Sequence, residues 1–199
     1  MAEPEHPDPL CVRFVNTVDW RDDASQRVDK LGNYSGLVHW AREAGAIEPA
    51  TANKLLQEAH RSPAAANGAF VHAISVREAL AGILAAAANQ RQAAAADLQR
   101  FNAALAESGR HLRLASAQGR FHSTWDSDDR LERLLWPVVR SAADLLTSGD
   151  LERLRICEGE GCGWFFMDTT RNRSRRWCNM AVCGNRAKVK RFYERHKAQ

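Results

Sequence analysis

The spacing of apolar residues along the first 150 positions predicts a mostly helical domain. Between Leu10 and Val18, apolar side chains recur at intervals of three and four residues, which is typical of one face of a helix. The alanine-rich tract 85–96 is also compatible with a helix. Caps, prolines and periodicity predict four segments in addition to the one at Leu10: Asn33 to Gly45, Pro49 through Leu56, Gly68 to Ala88, and Ala93 to Ser108.

The pattern changes after residue 110. Apolar and polar residues alternate from Leu112 and again up to Trp125, on either side of a turn signal at Gln118 and Gly119. Strict alternation around such a turn is typical of a β-hairpin. The fold class predicted for this part of the chain is therefore mainly α with a small β-hairpin.

A last helix of the domain is predicted before residue 150. Asp128 or Asp129 is expected to cap its first turn, and Gly149 is expected to end it. Pro137 lies inside the segment and is expected to kink the helix, because proline removes an internal hydrogen bond.

Four of the five cysteines form two pairs with the same internal spacing. The pattern is C-x4-C-x15-C-x4-C, from residues Cys157, Cys162, Cys178 and Cys183. Structural zinc takes four soft ligands in a tetrahedron, and close pairs let each half of the site form as one tight turn. The alternatives are two disulfides, which a reducing cytosol disfavours, and four unrelated thiols, which the symmetry disfavours. One Zn²⁺ per chain is therefore predicted.

Glycines and the fifth cysteine complete this picture. Tight turns around a metal need residues without a side chain, and four glycines lie close to the cysteine pairs: Gly159, Gly161, Gly163 and Gly184. Cys11 lies between Leu10 and Val12 and is predicted to be a small core residue.

Positive charge is concentrated in the last quarter of the chain. Residues 151–199 contain 12 Lys+Arg and 5 Asp+Glu, a net of +7, whereas residues 1–150 contain 16 and 19, a net of −3, which together give the +4 of the whole chain. Aromatic residues and cysteines interleave with these cations, unlike in a disordered basic tail. The asymmetry predicts two domains, a helical domain over 1–150 and a polyanion-binding module over 151–199.

The basic residues of this module are candidates for contacts with double-stranded DNA, whose phosphates supply affinity. A helix is predicted after Cys183, with Val189, Phe192, Tyr193 and His196 on a face that covers the zinc module. The candidate DNA-binding residues are Arg171, Arg173, Arg175, Arg176, Arg186, Lys188, Lys190, Arg191 and Arg195.

Other roles remain open for several of these residues. Zinc with four thiolates has a formal charge of about −2, so Arg173, Arg175, Arg176 or Arg186 could instead offset the charge of the metal site. Lys188, Arg191 and Arg195 recur at i, i+3 and i+7 along the predicted helix. The alternative for these three residues is a solvated charged face. Asn185 is interpreted as a capping residue at the start of the helix.

A pocket for a small-molecule effector is predicted in the helical domain. Its candidate ligand-binding residues are Asn16, Trp40 and Arg77, polar or cationic groups on otherwise apolar helical faces. The alternative is that Trp40 belongs to the core and that Arg77 pairs with a carboxylate such as Glu43.

No catalytic signature is present, and no catalytic residue is predicted. The sequence lacks the H-E-x-x-H, G-x-S-x-G and Walker patterns, and a four-thiolate zinc site has no open position for water. The histidines without carboxylates or cysteines at ligand spacing are interpreted as ordinary core or surface residues: His39, His72, His111 and His122.

The expected location is the cytoplasm. The first nine residues lack the basic and apolar regions of a signal peptide, and the longest apolar run, Ile83–Ala88, is too short to span a bilayer. Arginine (23) greatly outnumbers lysine (5), which we interpret as the composition of a GC-rich bacterial genome.

The chain resembles the CGNR zinc-finger family over nearly its whole length. The tetrad itself is Cys183–Arg186, preceded by RRWC ending at Cys178 and by FFMDTTRNRSRRW. The upstream domain also resembles that of the family, in FVNTVDW (Phe14–Trp20), LVHWAREAG (Leu37–Gly45) and REAL (Arg77–Leu80). The resemblance implies a bacterial transcription regulator, described as stress-induced, whose helical domain senses a ligand.

Two other functions stay open on the residues alone. The zinc module could dock onto a protein or RNA partner, or it could target an unrecognised enzyme in the helical domain. A homodimer is expected, because one small module rarely reaches regulatory affinity and dimers bind two half-sites.

Overall fold

Helices dominate the computed structural model, which describes residues 8–126 and 129–197. The helices are α1 (Leu10–Val15), α2 (Tyr34–Glu43), α3 (Pro49–Arg61), α4 (Pro63–Ala88), α5 (Ala95–His111), α6 (Trp136–Thr147) and α7 (Asn185–Lys197). Three antiparallel strand pairs accompany them, β1 (Val18–Asp19) with β2 (Val28–Asp29), β3 (Leu112–Ala117) with β4 (Arg120–Trp125), and β5 (Leu154–Ile156) with β6 (Phe165–Met167). The predicted class, mainly α with a small hairpin and a final basic helix, is confirmed.

Helix α4 lies at the centre of the core. It contacts α1, α2, α3 and α5, and 11 of its residues are buried, among them Leu80 and Leu84. Its 26 residues and mean hydropathy of 1.5 are sufficient to cross a membrane, but half of that apolar window is buried inside the protein. The expectation that no segment spans a bilayer was based on the run Ile83–Ala88, and the apolar stretch of α4 is longer than this run. The burial of α4 inside the protein is typical of a core helix.

The predicted starts of α2 and α3 are confirmed by their capping residues. The side chain of Asn33 accepts a hydrogen bond from the backbone N–H of Gly36, and Pro49 occupies the first turn of α3. The alanine-rich tract 85–96 is not one helix. Helix α4 ends at Ala88, and Gln90 has a φ of +53°, so the chain turns before α5.

The first helix is shorter than its apolar spacing suggested. Helix α1 ends at Val15, and Val18 instead lies in β1, where it pairs with Asp29. The hydroxyl of Thr17 donates to the carbonyl of Phe14 and its carbonyl accepts from the backbone N–H of Lys30. These bonds end the helix and start a strand pair that the periodicity did not reveal.

The predicted kink at Pro137 is wrong. A 3₁₀ segment, Leu131–Leu135, comes first, and α6 then begins at Trp136 with Pro137 in its first turn, where the missing N–H costs nothing. Helix α6 ends at Thr147, before Gly149. Asp128 lies outside the described residues, and Asp129 does not cap the segment, which starts after Arg130.

The predicted hairpin of β3 and β4 is confirmed together with its turn. Gln118 and Gly119 have φ values of +51° and +73°, the pair of left-handed residues that a two-residue type I′ turn requires. The hairpin extends away from the core, and Leu114 and Phe121 are each 73% exposed.

Strand β6 joins the two regions of the chain. Phe165 and Met167 belong to the same buried cluster as the helices, together with Leu154 of β5. Phe166, on the opposite face, is buried among the cysteines. Because successive side chains of a strand point to opposite faces, one short strand is part of both cores.

A buried guanidinium fixes the loop between β1 and β2. Arg77 of α4 is 1% exposed and donates to both carboxylate oxygens of Asp29, at 3.0 and 2.6 Å, and to Glu78 at 2.9 Å. Arg21 also pairs with Glu78, at 2.6 Å. Burial acts to raise the pKa of Glu78, but the guanidinium groups of Arg21 and Arg77 outweigh it and hold that pKa below its usual value.

Arg77→Ala is expected to destabilise the protein by at least about 2 kcal/mol, because it leaves a cavity and removes several charge-assisted hydrogen bonds. Urea denaturation monitored by circular dichroism measures this. The matched control is Arg140→Ala, which removes an exposed pair with Asp144 and should cost no more than about 0.5 kcal/mol. Equal effects of the two changes would contradict the role assigned to Arg77.

Candidate metal centre and basic surface

The four paired cysteines converge in space. Their sulfur atoms all lie within 4.8 Å of one another, and the separations are 3.7 Å from Cys162 to Cys178 and 3.8 Å from Cys178 to Cys183. A zinc ion with Zn–S bonds of about 2.3 Å needs sulfurs about 3.8 Å apart at the corners of a tetrahedron. The donor set and its dimensions therefore fit one Zn²⁺.

Hydrogen bonds from outside the cluster offset its negative charge. The backbone N–H groups of Gly159 and Cys178 lie 3.4 and 3.3 Å from the sulfur of Cys157. The guanidinium of Arg186 lies 3.2 Å from the sulfur of Cys183. Such donors orient metal ligands and stabilise their charged form.

The glycine at position 159 is required by the crowding of the sulfurs. A Cβ atom there would lie 3.1 Å from the sulfur of Cys183 and 3.3 Å from that of Cys157. Gly161 has a φ of +70°, the left-handed backbone that favours glycine. On the other side, Cys183 lies in a π-helical turn, Met180–Gly184, where the side chain of Asn179 accepts a hydrogen bond from the N–H of Val182 at 3.1 Å.

Backbone hydrogen bonds attach the first cysteine turn to the helical domain. Arg21 and Asp22 donate their N–H groups to the carbonyls of Cys162 and Gly161, at 3.1 and 3.3 Å. The indole of Trp164 donates to a carbonyl in β1, that of Val18, at 2.9 Å. The metal site is thus continuous with the loop that Arg77 stabilises.

Asn16 has a structural role that the sequence did not indicate. Its amide nitrogen donates to the carbonyl of Phe165 at 2.7 Å, and its amide oxygen accepts from the N–H of the same residue at 3.0 Å. The side chain therefore pairs with β6 as a neighbouring strand would.

Of the three predicted effector-binding residues, two lie together. Asn16 and Trp40 line a cleft of about 520 Å³ that Trp164 also borders, whereas Arg77 does not line it. Arg77 lies behind Thr17 in the cleft wall, at 3.0 Å from its hydroxyl. Its carboxylate partners are Asp29 and Glu78 rather than the proposed Glu43, because the β1–β2 loop folds over α4.

Two of the nine predicted DNA-binding cations face the interior of the metal site. Arg175 donates to the backbone carbonyls of Trp177 and Cys178 and lies over the ring of Phe166, at 4.6 Å. Arg186 bonds the sulfur of Cys183 and lies over the ring of Trp20, at 4.1 Å. These contacts correspond to the alternative given for Arg175 and Arg186, in which they offset the negative charge of the zinc site instead of contacting DNA.

Three further cations pair with carboxylates of the same region. The pairs are Arg173 with Glu152 at 2.9 Å, Arg176 with Glu158 at 2.6 Å, and Lys190 with Glu160 at 2.8 Å. Glu158 and Glu160 lie within the first zinc-binding turn, between Cys157 and Cys162. In each pair a carboxylate competes with any anionic partner for the cation.

The remaining four cations form no ion pair within the described ranges. They are all exposed, and they are Arg171, Lys188, Arg191 and Arg195. Three of them lie on α7, which begins two residues after the last zinc ligand, Cys183. The side chain of Asn185 donates to the carbonyl of Ala181 at 3.0 Å, so that residue has a local structural contact.

The sequence predicted that the apolar stripe of α7 covers the zinc module. In the structure the stripe is exposed instead. Val189, Phe192 and Tyr193 are 54%, 57% and 62% exposed. The contacts of Lys190 with Glu160 and of Arg186 with Trp20 hold the other side of the helix against the body. The sequence pattern located the stripe correctly but not the direction in which it faces.

His111 has partners that the sequence analysis missed. Its ring lies 3.2 Å from a carboxylate oxygen of Glu107 and 3.1 Å from one of Asp126, and it stacks on Trp136 at 4.0 Å. The spacing of Glu107 and His111, i and i+4 on one helix, was a signal for this contact. The arrangement ties the end of α5 to the hairpin.

The fold and the site define a zinc-finger protein with a helical domain. Residues 8–149 match the family model ABATE, described as "Putative stress-induced transcription regulator", and residues 153–196 match that of the CGNR zinc finger. The first match covers more than two thirds of the chain, which therefore belongs to the ABATE family. The resemblance to CGNR proteins is confirmed, and one zinc ion is the cofactor. A search of curated proteins found no match.

Zinc removal is expected to release α7 but not β5 or β6. The helix has no buried residue and depends on the metal site for its position, whereas Leu154, Phe165 and Met167 lie in the helical core. Hydrogen exchange before and after chelation should therefore show lost protection over 178–197 and retained protection in both strands. Metal analysis should give about one zinc per chain.

Two cysteine variants separate metal loss from general damage. Cys178→Ala should lose zinc and the protection of α7, whereas Cys11→Ala, in the helical core, should retain both. A metal-free Cys178→Ala protein in which α7 stays protected would contradict the dependence of this helix on zinc.

Proposed function

We propose that this protein is a transcription regulator that binds duplex DNA through its zinc-containing module, residues 151–199, and that residues 1–150 form its sensing domain. The observation that carries the proposal is the set of exposed, unpaired cations on a metal-held segment. These are Arg171, Lys188, Arg191 and Arg195. The family description supports a regulator, and phosphates are the groups that such cations bind.

The zinc ion supplies a closed structural centre with no position for a reacting water. The residues of the chain do the rest. Arg186 and Arg175 offset the charge of the ligands, and the π-helical turn at Met180–Gly184 leads directly into α7. The helix therefore projects from the site in a fixed direction with its cations exposed.

Unpaired cations should contribute more to DNA affinity than paired ones. A phosphate that contacts Arg195 replaces water and counterions, whereas one that contacts Lys190 must also compete with Glu160 at 2.8 Å. The same competition applies to Arg173 and Arg176. We therefore narrow the nine candidate contacts to the four unpaired residues.

We also propose that the cleft lined by Asn16 and Trp40 binds the small-molecule effector. Its volume of about 520 Å³ is in the range of known ligand sites. Trp164 borders the cleft and leads into the metal site, and Asn16 bonds to β6. A ligand there would contact both the helical domain and the chain that leads to the zinc ligands.

We propose a homodimer that acts in the cytoplasm. One small zinc module offers few phosphate contacts, and two related modules on one duplex would double them. The main alternative is a module that docks onto a protein or RNA. Such a module would not have to bind the phosphates of a DNA duplex. A third, an enzyme in the helical domain, would need a reactive group in a pocket; His111 and its carboxylates instead connect α5 to the hairpin.

Alanine substitution of the unpaired cations tests the proposal. Lys188→Ala, Arg191→Ala and Arg195→Ala should each weaken duplex binding and lower the slope of log K against log salt by about one. Fluorescence anisotropy on a duplex selected with the intact, zinc-loaded protein, between about 50 and 200 mM salt, measures both quantities.

Lys190→Ala is the matched control on the same helix. Because this lysine already pairs with Glu160, its replacement should lower the salt slope less than each of the three replacements above. Unchanged duplex affinity in the triple variant, with zinc content and helicity intact, would exclude DNA as the partner and favour the docking function.

A further inference from the structure

The exposed apolar stripe of α7 is unusual for the surface of a soluble protein. Val189, Phe192 and Tyr193 lie at positions i, i+3 and i+4, and each is more than half exposed. Clustered apolar groups of this kind mark an interaction surface more often than single exposed residues do. Met180 and Val182, in the turn before the helix, are exposed as well.

The stripe cannot turn towards the protein without loss of contacts on the other side of α7. That side lines a cleft against the body, in which Lys190 pairs with Glu160 and Arg186 lies over Trp20. Glu194, the acidic residue of the helix, also lines this cleft. The side that faces solvent therefore combines apolar and cationic groups.

Charge selects the occupant of this surface. Lys188 and Arg195 lie along one side of the stripe, and neither forms an ion pair in the part of the chain that the structure describes. A second copy of α7 would bring like charges together, which disfavours a helix pair. A polyanion with apolar groups between its charges fits both features. The major groove of DNA is such a surface, because thymine methyl groups lie between two phosphate backbones.

We propose that α7 lies in the major groove with its apolar stripe towards the base edges. Phe192 and Val189 contact thymine methyl groups, and Lys188 and Arg195, on one side of the stripe, contact the phosphates along one edge of the groove. A helix is about 10–12 Å in diameter with its side chains, which matches the groove width of about 12 Å, so α7, about 20 Å long, fits along the groove. This inference rests on the proposed function. It adds that the apolar face of α7 contacts the bases and that thymine methyl groups are the feature it recognises.

The readout that follows is mainly apolar. Phe192 and Val189 have no polar side-chain group, and one of the two ring nitrogens of His196, Nδ1, lies 2.9 Å from the carbonyl of Phe192. Sequence preference should then depend on methyl groups, whereas affinity should depend on phosphates. These two contributions can be separated by experiment.

Deoxyuridine substitution removes the methyl group and nothing else. A preferred duplex is first selected with the intact, zinc-loaded protein, and its thymines are then replaced by deoxyuridine. The wild-type protein should bind the substituted duplex more weakly, by roughly fourfold for each methyl group contacted. Phe192→Ala should bind both duplexes with more equal affinity, at an unchanged salt slope.

Two controls assign the effect to this stripe. Lys188→Ala should keep the wild-type ratio between the two duplexes while its salt slope falls. Phe121→Ala removes an equally exposed aromatic ring from the remote hairpin and should behave as wild type. If Phe192→Ala loses zinc or helicity, Val189→Ser replaces it and should reduce the same ratio.

The outcomes separate this inference from the function on which it rests. Equal affinity of the wild-type protein for both duplexes, a selected site without thymine, or a full wild-type ratio in a folded Phe192→Ala or Val189→Ser protein would each overturn the stripe as the reading face, while DNA binding would stand. Failure of the wild-type protein to bind any duplex would instead remove the proposed function.

Discussion

The two faces of strand β6 determine how the rest of the molecule is arranged. Phe165 and Met167 complete the helical core, and Phe166 between them completes the buried cluster of cysteines. Asn16 then pairs with the backbone of the same strand through two hydrogen bonds. Three residues of strand thus fix the distance and the angle between a large apolar core and a small metal-dependent one. A zinc module of about 45 residues needs such support, because it has little apolar surface of its own to bury.

The cations around the metal centre differ in the partners that they contact. The cations nearest the thiolates, Arg175 and Arg186, bond to the cysteine turns and lie over aromatic rings. The next ones pair with carboxylates, as Lys190 does with Glu160. Others on α7, such as Arg195, form no ion pair among the residues that the structure describes. A net charge of +7 over the last 49 residues would therefore overstate the charge available to a partner, and individual contacts describe it better.

Local patterns predicted most of the elements and the metal ligands, because helical periodicity, turn residues and cysteine spacing depend on neighbours in the sequence. The capped start of α2 at Asn33 and the turn at Gln118 and Gly119 are examples. Features that depend on distant residues were missed. Asn16 bonds to a residue 149 positions away, and no spacing shows this. The direction of the stripe with Phe192 depends on Glu160 across space, so the sequence located it without showing that it is exposed.

The three ion pairs at the edge of the module also have an evolutionary consequence. Each carboxylate, Glu152, Glu158 or Glu160, is exposed and forms no part of either core. A single-nucleotide change from glutamate to glutamine at Glu152 or Glu158 would leave both cores intact and free the cation beside it. Attraction to a polyanion could therefore increase in small steps along a lineage without any new basic residue. A change back from glutamine to glutamate would reverse each step. Related proteins could tune the strength of this surface while their cysteines, glycines and strand β6 stay the same.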